Sequence, residues 1–165
     1  MKPAELLDLL RAFYRDKASM RQRHAAAARL VVDYNFNNTY QYVINREDVQ
    51  ISWLRDAISE LGGGTVEDVP EPQIQATGNH ADRQAAVIRE DRDGAQAFGD
   101  RWRDRVEKVT TNARNRIMLR VILGETLEAK RFFDQMIAGR EDLLGPRSDG
   151  AGTPGEVLPT RWVGP

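Results

Sequence analysis

Seven residues could do chemistry by type and position: Lys17, His24, Glu47, Gln50, Asp91, Glu125 and Glu128. Each interrupts a run of apolar residues at alternating three- and four-residue steps, the pattern of a helix face turned to a core. Lys17 and His24 break the run Leu6, Leu10, Phe13, Met20, Ala27, Val31. Glu47 and Gln50 break Phe36, Tyr40, Val43, Leu54, Ala57, Leu61, and Asp91 breaks Ala81, Ala85, Ile88, Ala95, Phe98, Trp102 and Val106 or Val109. In the fourth run, Met118, Val121, Phe132 and Gln135 or Met136, the breaks are Glu125 and Glu128. Unpaired buried charges cost on the order of several kcal/mol each. Breaks at one level of a bundle therefore imply a metal, a tight ion-pair network or a water-filled cavity. Glu47/Gln50 and Glu125/Glu128 are each three residues apart, so both members share one helix face, one turn apart, as chelation on a helix requires. A different phasing of the stripes would instead put some of these groups at helix flanks in water, Lys17 most easily because lysine snorkels.

Four helices must position these groups, over about Pro3–Val32, Phe36–Leu61, His80–Val109 and Ala113–Arg140. Pro3 suits a first helical turn, Asn79 and Thr111 or Asn112 suit N-caps, and Gly62-Gly63-Gly64 stops the second helix. The links are short, long and short. The long one, residues 63–79, holds Pro70, Pro72 and three glycines. That pattern predicts an all-α, antiparallel four-helix bundle made of two helix pairs tied by one long crossover. Residues 1–145 are assigned to the bundle. From Pro146 to Pro165, proline and glycine dominate, and a flexible tail is predicted.

Composition narrows the function. The chain has 165 residues, 24 basic and 25 acidic side chains, and no cysteine. Its length suits one domain with a real core. The lack of cysteine excludes disulfides, thiolate zinc sites, iron–sulfur clusters and a cysteine nucleophile. Near-neutral charge argues against a nucleic-acid partner, and the arginines interleave with acids, as in Asp100-Arg101-Trp102-Arg103-Asp104-Arg105. The start, MKPAELLDLL, lacks the layout of a signal peptide. No apolar run reaches membrane-spanning length. The expectation is a cytoplasmic protein without a membrane partner.

With these residues in view, nearly all of residues 4–142 resembles the ferritin-like superfamily, nearest to bacterioferritin and rubrerythrin. In those families helices one and three each give a carboxylate, and helices two and four each give a Glu-x-x-His; together they hold two iron or manganese ions. Glu47-Asp48-Val49-Gln50 falls at the first Glu-x-x-His and Glu125-Thr126-Leu127-Glu128 at the second. Asp91-Arg92-Asp93-Gly94-Ala95 is similar to the third-helix motif of bacterioferritin. Lys17 falls where the helix-one glutamate should be, and His24 where bacterioferritin often has a tyrosine. Both motif histidines are replaced, by Gln50 and Glu128. No haem is expected, because Asp48 follows Glu47 where the haem-binding methionine would stand.

The resemblance implies Glu47, Asp91, Glu125 and Glu128 as metal ligands, with Lys17, Gln50 and His24 as degenerate or tuning positions. A Lys17 ammonium could replace one metal ion's charge, which predicts one hard cation or none. The expected function is thus a ferritin-like protein with an atypical carboxylate-rich centre, not an iron-oxidising ferritin. One alternative is a di-metal oxidoreductase using iron or manganese with non-standard ligands. Another is a cargo or interaction protein docked to a protein partner through the apolar end of its tail, Val157, Leu158, Trp162 and Val163. Such bundles often pair through helices one and two, which predicts a homo-oligomer, a dimer or larger; Tyr34, Tyr42 and Trp53 would suit that surface.

Overall fold

Each helix begins where the sequence supplies acceptors for its unpaired N–H groups. The computed structural model describes residues 1–145. Helix α1 (Pro3–Ala28) starts with a proline, and Glu5 reaches back to accept from the Lys2 N–H at 2.8 Å. Helix α2 (Tyr34–Glu60) is capped by Asp33, which accepts from the Phe36 N–H at 2.9 Å. Asn79 caps α3 (His80–Glu107) and Asn112 caps α4 (Ala113–Ile137) in the same way. These caps are each worth about 1 kcal/mol. Gly62, at φ 75°, ends α2 in the left-handed conformation that side chains disfavour. There is no strand among the described residues. None of their helices is long and apolar enough to cross a membrane.

The four helices form a bundle. Helix α1 packs along α2 and α3 along α4; narrower α1–α3 and α2–α4 contacts close the ring and leave α1/α4 and α2/α3 as diagonals. The apolar interior falls into two clusters. One gathers around Phe13, Leu54, Ile58, Trp102 and Ile122, the other around Tyr40, Ile44, Ile88 and Phe133. His24, Glu47, Asp91 and Thr126 occupy the positions between the two clusters on their respective helices, and Lys17 stands at the inner end of the first cluster on α1.

The link over residues 62–79 is a strap laid along the outer side of α1. The Arg11 guanidinium donates to the Gly63 carbonyl at 2.7 Å, and Gln22 donates to the Val69 carbonyl at 2.7 Å. Arg29 pairs with Glu71 near the far end of the helix. Val66 and Val69 rest on the first apolar cluster and Ile74 on the second.

The buried stripes of α1 and α2 match the sequence pattern closely, and that of α3 does so from Ile88 onward. Helix α4 is the exception. Its buried face is Leu119, Ile122, Thr126, Ala129, Phe133 and Met136, one residue out of phase with the predicted stripe. Apolar residues surround this helix over Ile117–Leu123, so two overlapping stripes exist and the pattern alone does not choose between them. In consequence Val121 is exposed, Glu128 is exposed, and Glu125 stands at the edge of the core rather than within it. The predicted tail, residues 146–165, lies outside the described residues.

Candidate functional site

The middle of the bundle is a layer of charged and polar side chains under apolar cover on both sides. Lys17 comes from α1, one turn beyond Phe13, and is only 1% exposed. Its ammonium donates to Glu47 Oε1 of α2 at 2.9 Å and to the Thr126 hydroxyl of α4 at 3.0 Å. The other Glu47 oxygen meets His24 Nδ1 at 2.9 Å. Both oxygens of a carboxylate that is 2% exposed are therefore taken by basic groups. The His24 ring packs in turn against Tyr40 and Phe133.

The charges of this triad set one another. Burial by itself would push the Glu47 carboxyl up, but His24 and then Lys17 outweigh it and hold it down at about 2. Burial likewise pulls His24 down, and the Glu47 carboxylate at hydrogen-bond distance reverses this and leaves it raised, with Asp91 assisting. The arrangement suits an ionised Glu47 between two cations.

Asp91 belongs to a second cluster. Its Oδ2 accepts from the Tyr40 hydroxyl at 2.6 Å, and its Oδ1 accepts from Arg23 Nε at 2.9 Å. Burial dominates at this carboxyl and raises it, against the opposing pull of His24, Tyr40 and Arg23. Arg23 also binds Glu90, so the cluster reaches the surface between α1 and α3.

A third cluster lies on the α2–α4 side. Gln50 Nε2 donates to Glu125 Oε2 at 2.5 Å, and the other Glu125 oxygen pairs with Arg46. Glu128 lines the mouth of the same recess together with Tyr42 and Phe132. The recess holds a cavity of about 10 Å³, room for one water molecule. Gln50 Oε1 and Arg46 Nε, both buried, have no hydrogen-bond partner there. A larger cavity of about 380 Å³ lies beneath the strap, away from this chemistry; Arg21–Asp48 and Arg55–Asp68 pair along its wall.

Lys17, Glu47, Gln50, Glu125 and Glu128 thus line one recess, in which Lys17 and Glu47 pair with each other, His24 joins Glu47, and Gln50 pairs with Glu125, while Glu128 stays at the rim. Asp91 has partners of its own. The expected convergence of all six ligand-type positions on one point is met only in part. No three His, Asp or Glu side chains among the described residues lie together as metal ligands would. The donor set fits a di-metal centre poorly for a positive reason: an ammonium stands against Glu47, and guanidinium groups stand against Asp91 and Glu125. Like charge beside each donor opposes a cation.

Four contributors went unseen in the sequence. Arg23 and Arg46 sit beside the stripes and read as surface arginines; Thr126 was hidden by the phase error in α4; and Tyr40 reads as an apolar core residue until its hydroxyl is placed. An arginine next to a stripe-breaking acid one helix away was the available signal. Compared with protein-family models, with curated proteins and with solved structures, the chain matches none.

Proposed function

We propose that the chain is a ferritin-like antiparallel four-helix bundle whose centre is held by its own ion pairs, and that it serves as a metal-independent interaction protein rather than an iron-oxidising ferritin. The order of contacts supports the antiparallel course: Asn37 near the start of α2 donates to the Ala28 carbonyl at the end of α1, whereas Arg55 near the end of α2 donates to Tyr14. Between α2 and α4, Tyr42 meets Phe132 edge to face while Glu60 pairs with Arg114. The observation that carries the reading is the Lys17–Glu47–His24 triad. In it a lysine supplies, from the helix-one ligand position, the positive charge that a metal supplies in the families the sequence resembles. A lysine ammonium is no ligand until it loses its proton, and its donors here already have Glu47, Thr126 and the Met20 sulfur as acceptors.

Elemental analysis tests this directly. Protein purified without chelators should carry less than about a tenth of an iron or manganese ion per chain, unchanged in Glu125→Ala. One or more ions per chain, lost on that substitution, would overturn the reading and favour the oxidoreductase alternative. Lys17→Glu supplies a further arm. If the backbone is ferritin-like, restoring the helix-one carboxylate should raise iron or manganese retention above the wild-type level.

A second reading has one observation in its favour. Gln50 Oε1, buried and unpartnered beside Glu125 and Glu128, offers an oxygen to a single hard cation at the mouth of the recess. Calcium or manganese titration monitored by calorimetry, with Gln50→Leu as the control, separates it from the first.

A further inference from the structure

Five of the eight large apolar side chains exposed in the described residues lie on one side of the bundle: Tyr42, Val49 and Trp53 on α2, and Ile117 and Val121 on α4. Helices α2 and α4 are neighbours, so the two stripes run side by side. The outer side of α1, by contrast, is already covered by the strap.

The α2 stripe has a regular spacing. Tyr42, Arg46, Val49, Trp53, Asp56 and Glu60 follow steps of four and three residues, which keeps all six within about 40° of one line on the helix. Its order is self-complementary. Reversed about Ile51, the stripe sets Val49 opposite Trp53, Arg46 opposite Asp56, and Tyr42 opposite Glu60. A twofold axis through that point would therefore match apolar with apolar and cation with carboxylate twice over. Arg46 and Glu60 have partners within the chain, Glu125 and Arg114, but with side chains 43% and 52% exposed both can be shared.

Helix α4 supplies an independent observation at the same level. Gly124, the neighbour of Glu125, sits mid-helix and exposed, and a Cβ added there would meet nothing within 4 Å. Nothing inside the chain requires a glycine, which weakens a helix relative to alanine. Gly124 leaves room there for a second backbone to approach at the symmetry point.

We propose that the α2–α4 face is an interaction surface for a second copy of this chain, packed about a twofold axis near Ile51 and Gly124. The inference does not depend on what occupies the bundle centre. Because the chain contains no cysteine, one introduced thiol reports the contact cleanly. Full-length Gly124→Cys should form a disulfide-linked dimer under mild oxidation, while Gly94→Cys, placed at an equally open glycine on α3, should not. In sedimentation equilibrium the wild type should dimerise below about 100 µM, and Val49→Glu should weaken dimerisation at least about tenfold while keeping its helical circular dichroism. Asp56→Arg should weaken it as well, and Arg46→Asp combined with Asp56→Arg should restore it. A wild-type chain that stays monomeric at that concentration overturns the proposal, as does a dimer indifferent to Val49→Glu or one in which Gly94→Cys cross-links equally. A monomer that dimerises only after Trp162→Ala would assign the face to the chain's own tail and likewise overturn it.

Discussion

Replacing Lys17 by methionine keeps the length of the side chain and removes its charge. Glu47 then retains only His24 of its two cationic partners, in a site where it is 2% exposed. Holding the Glu47 carboxyl at about 2 instead of 4.5 is worth about 3 kcal/mol at neutral pH, shared between His24 and Lys17. The substitution also leaves the Thr126 hydroxyl without its Lys17 donor. Breaking a buried pair on one side costs about 3–5 kcal/mol in general, so a loss of about 3 kcal/mol is expected. For a bundle of this size that corresponds to a fall of about 10 °C in Tm. The assay is urea denaturation followed by circular dichroism at pH 7. The sign with pH follows from the lowered carboxyl: its contribution is full above 4.5 and fades as pH falls toward 2. The gap between wild type and Lys17→Met should therefore narrow on acidification. Adding Glu47→Gln should recover most of the loss at pH 7, since two neutral side chains of similar volume replace the pair and burial favours a neutral His24 once the Glu47 carboxylate is gone. A single variant within 1 kcal/mol of wild type, taking about 1 kcal/mol as the level of an exposed pair, or a double variant less stable than the single, would refute the reasoning.

Four further outcomes follow from other residues. The raised His24 contributes stability that is full below its ordinary value of 6.5 and is lost as pH rises through its folded value, so His24→Gln should flatten the alkaline side of the stability–pH curve. Asp91, raised by burial, acts with the opposite charge: its ionisation opposes folding as pH rises above 3.8, and Asp91→Asn should remove that slope in the same titration. Gly94→Ala should raise stability by about 1 kcal/mol, because the site is helical and open. Gly63→Ala should lower it by about 1–3 kcal/mol, because the new Cβ would lie 2.9 Å from the Ile58 carbonyl oxygen and closer still to Leu7. Thermal denaturation decides both.

The helices and their caps were legible because their signals are local. Asn79, Asn112 and Gly62 do what their types predict, and the helix ends fall within four residues of the expected ones. The breaks at Lys17, Glu47 and Asp91 were legible too, since an ionisable group on an otherwise apolar stripe has few alternatives to burial with a partner. Which partner each would find was not legible. That depends on the rotation of neighbouring helices, and one residue of phase, about 100°, moved Glu125 and Glu128 from the core to its edge and Thr126 into contact with Lys17. The strap was legible as a long link, but its course along α1 was not, because main-chain carbonyls accept from Arg11 and Gln22 whatever side chains they carry.

The polar layer has a consequence for how the chain assembles. Two pairs of helices that are near neighbours in sequence, α1 with α2 and α3 with α4, form from local contacts, which close quickly. At the seam where they dock, the first pair brings Lys17, Arg23 and Arg46, and the second brings Asp91, Glu125 and the Thr126 hydroxyl. The halves meet with opposite charge. Apolar side chains would tolerate a docking slipped by one helical turn, but a slip of about 5.4 Å takes each of these groups out of hydrogen-bond range of its acceptor. The buried charges thus select a single alignment of the two halves from several that the apolar residues alone would accept.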